Sequence, residues 1–145
     1  MAKFKYKFET IKNIKTKLEK KTQRELASID LDILNKKNKI LELSDLLKEQ
    51  KKKKLGSKSK TIKEYHFDEK YENYLLEQIE LIKKYLLNKQ TERDKKLQEL
   101  IKKSKETKTF EKLKEKHYTE FIKVKEKSEQ KELDEFAVTE FLKDK

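Results

Sequence analysis

Lys51-Lys-Lys-Lys-Leu-Gly-Ser-Lys-Ser-Lys60 contains the only glycine of a 145-residue chain that has no proline. Glycine and proline interrupt helices more strongly than other residues, so their near absence leaves few positions at which a helix would end. Because Gly56 lies a little before the middle of the chain, the simplest fold is one helix, one turn and a second, longer helix. We predict helices over about residues 8–54 and 62–142, joined by a turn at about residues 55–60, within one coiled-coil domain spanning residues 1–145.

Apolar residues follow a helical repeat on both sides of this turn. In the first half, the apolar or small residues of the repeat are Ile11, Ile14, Leu18, Thr22, Leu26, Ile29, Ile33, Ile40, Leu43 and Leu47. From Leu26 onward the spacing alternates between three and four, whereas steps of four from Ile14 to Leu26 predict a locally unwound coil. In the second half, the stripe comprises Tyr71, Leu75, Ile79, Ile82, Leu86, Leu97, Leu100, Phe110, Leu113, His117, Phe121 and Val124, with polar steps at Lys89 and Arg93. The pattern favours order over disorder and predicts an all-α, antiparallel two-helix coiled-coil hairpin.

The second helix is predicted to be the longer one. Thr61-Ile-Lys-Glu64 has the pattern of a capping box, which indicates a helix start near Ile62. About the last 30 residues would then extend beyond the partner helix. This part carries the apolar residues Phe121, Val124, Leu133, Phe136 and Phe141. Exposed aromatic residues on an unpaired helix fit either a partner surface or a frayed tail, and the sequence leaves both open.

The composition argues against several classes of function. Charged residues make up 47% of the chain and hydrophobic residues 33%, which is typical of long, solvent-exposed helices. The chain has no cysteine for thiol catalysis or disulfides, and one glycine is too few for a phosphate-binding loop. His66 and His117 are not in a metal-ligand spacing. We therefore expect no enzyme activity, no cofactor and no metal, and the absence of a long apolar run predicts no transmembrane helix.

The net charge of +12 raises the question of nucleic-acid binding. Arg24 and Arg93 are the only arginines, although arginine is the residue best suited to bidentate contacts with phosphate and guanine. The lysines are mixed with glutamates along both predicted helices. A solvated, lysine-rich surface is therefore favoured over a nucleic-acid interface.

A second stripe runs beside the predicted seam of helix 2. It consists of Tyr74, Leu81 and Tyr85, with Gln78 completing the spacing, and its counterparts on helix 1 are Leu41 and Leu46. These side chains could widen the core ridge. They could also form a binding patch near the turn, since tyrosine combines a large apolar ring with a polar end.

Three segments resemble the flagellar export protein FliJ family. They are Phe4-Lys-Tyr-Lys-Phe-Glu-Thr-Ile11, Lys105-Glu-Thr-Lys-Thr-Phe-Glu-Lys-Leu-Lys-Glu-Lys116 and Glu129-Gln-Lys-Glu-Leu-Asp-Glu-Phe-Ala137. The most specific part is the pattern Gln-Lys-x-x-Asp-Glu-x-Ala, formed here by Gln130, Lys131, Asp134, Glu135 and Ala137. The length and the hairpin pattern agree with the family along essentially the whole chain.

The resemblance implies a non-catalytic component of the flagellar type III export apparatus. The family fold is an antiparallel two-helix coiled coil similar to the central stalk, or gamma subunit, of rotary ATP synthases. The implied partners are the hexameric export ATPase FliI, the cytoplasmic domain of the export gate protein FlhA, and export chaperones. The implied location is the cytoplasm, with peripheral association to the inner membrane through the apparatus and no direct membrane insertion. We expect no nucleic-acid partner.

The resemblance also implies two partner-binding surfaces. The residues that would contact the ATPase ring are Gln130, Lys131, Asp134, Glu135 and Phe136. Those that would face the gate are Tyr74, Leu81 and Tyr85 on helix 2 and Leu43, Leu46 and Gln50 on helix 1. The alternative functions are a stalk of a virulence-type secretion system, a generic coiled-coil adaptor and a nonspecific nucleic-acid binder.

Overall fold

The computed structural model describes residues 3–56 and 61–144, and these residues form two α-helices. Helix α1 spans Glu9–Gly56 and helix α2 spans Ile62–Lys143. The two helices pack against each other as a helical hairpin, which confirms the predicted fold class. The observed bounds lie close to the predicted ones because nothing in either sequence segment interrupts the helical hydrogen bonding.

The structure describes only part of the segment that we predicted to be the turn. Leu55 and Gly56, which we expected in the turn, are the last residues of α1, and the rest of the predicted turn, residues 57–60, lies outside the described residues. Gly56 does not have a positive φ, and a Cβ added to it would meet nothing within 4 Å. Gly56 is therefore not present to provide a left-handed conformation or a close approach.

The predicted capping box at the start of α2 is confirmed. The Thr61 hydroxyl accepts a hydrogen bond from the backbone N–H of Glu64 at 3.3 Å, and the Glu64 carboxylate accepts one from the backbone N–H of Thr61 at 3.3 Å. These two bonds satisfy amide groups that have no partner within the helix. The acidic side chain in the first turn also complements the helix dipole.

The chain divides into two compact units, which we describe separately. The turn unit comprises residues 21–100, and the terminal unit combines residues 1–20 with residues 101–145. In the turn unit, Leu43, Leu75 and Ile79 form a buried apolar cluster, and Leu75 is only 1% exposed. The partly buried residues around this cluster are Ile40, Leu47, Tyr71 and Ile82. All seven belong to the predicted seam, so this part of the predicted core is confirmed.

Farther from the turn, Ile29 and Ile33 remain buried, and ion pairs flank the contact between the helices of the turn unit. Lys96 of α2 lies 2.6 Å from the Glu25 carboxylate of α1, and Arg93 pairs with Asp30. The acidic partners of these pairs lie on α1 and the basic partners on α2. Arg93, one of the two polar residues that interrupt the predicted apolar stripe of α2, thus forms an ion pair with α1.

In the terminal unit, residues that precede α1 pack along α2. The Tyr6 side chain is 7% exposed, and its hydroxyl donates a hydrogen bond to the backbone carbonyl of Phe110 at 2.9 Å. The Phe4 ring lies 5.3 Å from the Tyr118 ring and 5.5 Å from the Phe121 ring, measured between centroids. The expectation that Phe121 has no partner within the chain is therefore wrong, because the segment before α1 covers it.

The predicted seam is also wrong over the first turns of α1. Ile11, Ile14 and Leu18 are 43%, 52% and 40% exposed, whereas Lys12 and Lys15 are half-buried. Lysine can occupy such positions because its alkyl chain packs while its ammonium group remains accessible to an acidic partner. Lys15 lies 3.0 Å from the Glu106 carboxylate, which provides that partner.

The spacing of the buried positions also differs from the stutter that predicted a locally unwound coil from Ile14 to Leu26. Half-buried or buried positions recur at alternating spacings of three and four from Phe8, the residue before α1, and onward along the helix. They are Phe8, Lys12, Lys15, Glu19, Thr22, Leu26, Ile29 and Ile33. This is the regular heptad spacing, with polar residues at several of its positions.

Candidate partner-binding surfaces

Most of the residues predicted to face the gate lie at the surface of the turn unit. Tyr74 and Leu81 are 54% and 58% exposed, and Leu46 on α1 is 42% exposed. Leu43, in contrast, is 7% exposed and belongs to the buried cluster with Leu75. A partner cannot cover Leu43 directly, so this residue supports the surface from beneath.

Tyr85 is held in one position by three side chains. Its hydroxyl donates a hydrogen bond to the Asp32 carboxylate at 2.5 Å. The ammonium groups of Lys36 and Lys89 lie 5.2 and 5.6 Å from the ring centroid, within cation–π range. The hydrogen bond to Asp32 raises the pKa of Tyr85, since ionisation of the hydroxyl would place two negative charges side by side.

Gln50 also has a partner within the turn unit. Its Nε2 donates a hydrogen bond to the Asp68 Oδ1 at 2.9 Å. The bond joins the end of α1 to the beginning of α2. We call the exposed and half-exposed set Leu46, Gln50, Tyr74, Leu81 and Tyr85 the gate-side surface. Two of its five members, Gln50 and Tyr85, are fixed by contacts with the other helix.

The last part of α2 is a solvent-exposed helix. Every described residue from Lys123 to Asp144 is exposed, and α2 continues to Lys143. We call residues 123–144 the C-terminal segment. All five residues predicted to contact the ATPase, Gln130, Lys131, Asp134, Glu135 and Phe136, lie within it. The exposed part of α2 thus begins at residue 123 and is shorter than the predicted 30 residues.

The predicted ATPase-contacting residues do not share one face of this helix. Gln130 Nε2 donates a hydrogen bond to Asp134 Oδ1 at 3.0 Å, which places these two side chains on the same side. Phe136 follows Asp134 by two residues, which corresponds to a rotation of about 200° around the helix axis. Phe136 therefore faces away from Asp134, toward the side that carries Leu133.

The apolar side of the C-terminal segment is unusually exposed for a helix in water. Leu133 and Phe136 are 62% and 64% exposed, and they lie three residues apart on one stripe. Other large apolar side chains in this segment with at least half their surface exposed are Val124, Val138, Phe141 and Leu142. Leu142 lies about 180° around the helix from Leu133, so these side chains are spread over several sides. Leu133 and Phe136 form the stripe that one partner surface would cover.

Two features of the molecule were missed in the sequence. One is the packing of Phe4 and Tyr6 along α2, which helical periodicity could not reveal because these residues precede α1. The other is the set of ion pairs between acidic residues of α1 and basic residues of α2. The segregation of Glu25, Asp30 and Asp32 opposite a basic stretch of α2 is a signal that could have revealed them.

Two kinds of site are absent from the part of the chain that the structure describes. Within residues 3–56 and 61–144, no group of three or more His, Cys, Asp or Glu side chains is arranged to hold a metal ion. None of the described helices combines the length and apolarity that spanning a membrane requires.

The fold and the surfaces define the class of the protein, a helical hairpin with exposed apolar and charged side chains. The comparison with protein families makes this assignment more specific. A family model described as flagellar FliJ protein matches residues 4–145, and the chain therefore belongs to the FliJ family. The family assignment places it among the proteins of flagellar export. No curated protein and no solved structure matches the chain.

Proposed function

We propose that this chain is a non-catalytic stalk of the flagellar export apparatus, which binds the hexameric ATPase FliI through its C-terminal segment. The same molecule would bind the cytoplasmic domain of the gate protein FlhA through its gate-side surface. It would thereby promote assembly of the ATPase ring and couple the ring to export. The observation that carries this proposal is the exposed helix of residues 123–143, which contains the Gln130 to Ala137 string of the family resemblance.

The exposure of this helix supports a role in binding. A helix that buries no face gains little from tertiary packing, which supplies most of the stability of helices in proteins. A rise of about 1.5 Å per residue gives the exposed part a length of about 30 Å, which is enough to enter the pore of a protein ring. Enclosure by a ring would bury Leu133 and Phe136 and would favour the helical state.

The charge of the C-terminal segment differs from that of the whole chain, which supports a separate binding partner for this segment. Residues 123–144 carry seven acidic side chains and five lysines, although the whole chain has a net charge of +12. The segment is therefore the acidic end of a basic protein. Complementary charges speed up association and select the partner, so we expect the ring surface that receives it to be basic.

The first experiment tests Asp134 in the ATPase interaction. Asp134→Ala should reduce the stimulation of FliI hydrolysis and oligomerisation several-fold. Glu126→Ala is the matched control, because it removes the same charge from an exposed residue of the segment that lies outside the Gln130 to Ala137 string. The control should retain the stimulation, and both variants should keep the wild-type far-UV circular dichroism.

Two results would contradict the ATPase role. Lack of any effect of the wild-type chain on FliI hydrolysis and oligomerisation would remove the proposal. An equal loss in the Asp134 and Glu126 variants would show that stimulation depends on the overall charge of the segment and not on the Gln130 to Ala137 string.

The second experiment tests the gate-side surface. Leu81→Ala should weaken binding to the FlhA cytoplasmic domain and should leave FliI stimulation unchanged. Leu87→Ala is the matched control, since Leu87 is an exposed leucine of the same helix that points in another direction. If Leu81→Ala lowered the thermal stability and left FlhA binding intact, the stripe would be a core ridge.

A further inference from the structure

The positive charge of the chain is concentrated where α1 ends and α2 begins. Residues 48–64 contain eight lysines and two glutamates, which gives this stretch a net charge of +6. The whole chain has a net charge of +12, so half of the excess lies in a small part of the sequence. Elsewhere along the helices, lysines are mixed with glutamates, which argues against an anionic partner. In residues 48–64 the lysines outnumber the glutamates, so that argument does not hold for this stretch.

The lysines at the end of α1 are available to a partner. Lys51, Lys52 and Lys53 are exposed, and none of the ion pairs among the described residues includes them. Lys54 differs, because it lies 3.8 Å from the Glu72 carboxylate and 4.8 Å from the centroid of the Tyr65 ring. Lys54 thus serves the contact between the helices, and its three neighbours do not.

The helix dipole explains only part of this arrangement. Basic residues in the last turn of a helix are stabilising, and Lys53 and Lys54 occupy that turn of α1. The effect fades within one turn, so it does not account for Lys48 or for Lys63, which follows the start of α2. A separate reason is needed for a cluster of this size.

Large apolar side chains stand beside these lysines. Leu55 is 89% exposed and Ile62 is 78% exposed, the highest values among the large apolar residues of the described chain. Phe67, in the second turn of α2, is 70% exposed. We call the described residues Lys48, Lys51–Lys54, Leu55, Ile62 and Lys63 the basic tip.

We propose that the basic tip adsorbs to the surface of a membrane that contains anionic phospholipids. Clusters of lysine are attracted to the negative surface potential of such membranes. Apolar side chains within the cluster can enter the boundary between headgroups and acyl chains, as happens in interfacial helices. The tip would then lie on the membrane without crossing it.

A lipid surface fits the tip better than nucleic acid. The basic tip contains no arginine, which is the residue suited to bidentate contacts with phosphate and bases. Nucleic acid would provide no apolar phase for Leu55 and Ile62, whereas a membrane would. This interaction uses neither the gate-side surface nor the C-terminal segment, and it therefore goes beyond the function proposed above.

The experiment is co-sedimentation of the full chain with lipid vesicles. The protein should bind vesicles containing about 30% phosphatidylserine and should not bind pure phosphatidylcholine, with affinity decreasing as salt is raised above about 0.15 M. The variant Lys51→Gln, Lys52→Gln, Lys53→Gln should bind at least about tenfold more weakly. Leu55→Ser combined with Ile62→Ser should weaken binding several-fold while preserving the salt dependence.

The control variant is Lys102→Gln, Lys105→Gln, Lys108→Gln. These three lysines are exposed and lie on α2, and their replacement removes the same total charge. The control should retain binding within about twofold, since long-range attraction is screened beyond about 10 Å. All variants should keep the helical circular dichroism of the wild type.

Three results would overturn the proposal. The first is lack of binding to the anionic vesicles, and the second is an equal loss in the tip and control variants. The third is tighter binding to duplex DNA than to the vesicles at the same salt concentration, lost in the tip variant, which would make the tip a nucleic-acid surface. Stimulation of FliI by the tip variant tests the proposed stalk function separately, and we expect it to be unchanged.

Discussion

The two helices of the turn unit are held together in one way near the turn and in another way farther from it. Near the turn, Leu43, Leu75 and Ile79 form a buried apolar cluster. Farther away, Lys96 pairs with Glu25 and Arg93 pairs with Asp30, and these side chains are about a quarter to a half exposed. The first region is centred on a buried apolar cluster, whereas the second adds opposite charges across the helix contact to the buried side chains of Ile29 and Ile33.

The difference teaches what each region contributes. Burial of apolar side chains is the main stabilising contribution to folding, whereas partly exposed ion pairs contribute little net stability. Ion pairs can still favour one alignment, because a shifted register would separate Glu25 from Lys96 and Asp30 from Arg93. We infer that the apolar region supplies most of the stability of the turn unit and that the ionic region fixes its register.

The largest effect should come from the apolar region. Leu75→Ala removes most of a side chain that is 1% exposed, so we expect the free energy of unfolding to decrease by about 2–5 kcal/mol. Leu87→Ala, in the exposed position of the same helix, should change it by less than about 0.5 kcal/mol. Urea unfolding followed by far-UV circular dichroism measures both. Similar losses in the two variants would show that the cluster around Leu75 is not the stabilising region.

The sequence predicted the apolar region because nothing there competes with the helical repeat. Absence of proline, a single glycine and the regular spacing of Leu26 to Leu47 define two helices and their contact face. The capping box set the start of α2 at Ile62. Local signals of this kind depend on neighbouring residues alone, and so they can be read directly from the sequence.

The ionic regions could not be predicted in the same way. We assigned Ile11, Ile14 and Leu18 to the seam because they are apolar, yet Lys12 and Lys15 are the half-buried residues. A lysine can occupy a seam position when an acidic side chain lies within reach of its ammonium group. Glu106 fulfils this condition for Lys15, and it is 91 residues away in the sequence.

The candidate binding residues were predictable to different degrees. The C-terminal segment follows from the unequal helix lengths, although the Phe4 ring covers Phe121 and shortens the exposed part. The gate-facing residues were not sorted into core and surface, since Leu43 was assigned both to the seam and to the gate-facing set. The structure buries Leu43 and leaves Leu46, from the second stripe, 42% exposed. The basic tip was visible as a lysine run, but the average charge of the chain concealed how much of the excess it holds.

The second prediction tests the ionic region by exchanging its charges. Asp30→Arg and Arg93→Asp each place like charges opposite one another, and each should lower the urea midpoint by less than Leu75→Ala does. The double variant restores opposite charges and should recover most of the midpoint. A double-mutant cycle isolates this coupling. If the double variant were as unstable as the sum of the two single variants, Asp30 and Arg93 would not be acting as a pair.

The third prediction uses pH to weaken the ionic contacts. The hydrogen bond from Lys96 lowers the pKa of Glu25 below its ordinary value of 4.5, and Lys114 lowers the pKa of Glu9 in the same way. A lowered pKa means that the folded state prefers the ionised carboxylate, so its stabilising effect is complete above the ordinary value. It is lost as the pH falls through the folded-state pKa.

We therefore expect thermal stability to be level near neutral pH and to decline as the pH falls below about 4.5. Glu25→Gln should make this decline shallower and should cost some stability at pH 7. Leu87→Ala serves as the control and should reproduce the wild-type pH profile. A profile of Glu25→Gln that matches the wild type would show that this carboxylate does not sense its lysine partner.

The smallest effect on stability should come from Tyr85→Phe, which connects the ionic region to the gate-side surface. The change removes the hydrogen bond to Asp32 and keeps the ring between Lys36 and Lys89. Because Asp32 is also 4.0 Å from the Lys89 ammonium group and partly open to water, it keeps other partners, and the urea midpoint should hardly move.

Tyr85→Ala removes the ring as well, and we expect it to weaken FlhA binding more than Tyr85→Phe does, as measured by calorimetric titration. Equal binding of both variants would restrict Tyr85 to the ionic region and would leave Tyr74 and Leu81 as the aromatic and apolar residues of the gate-side surface.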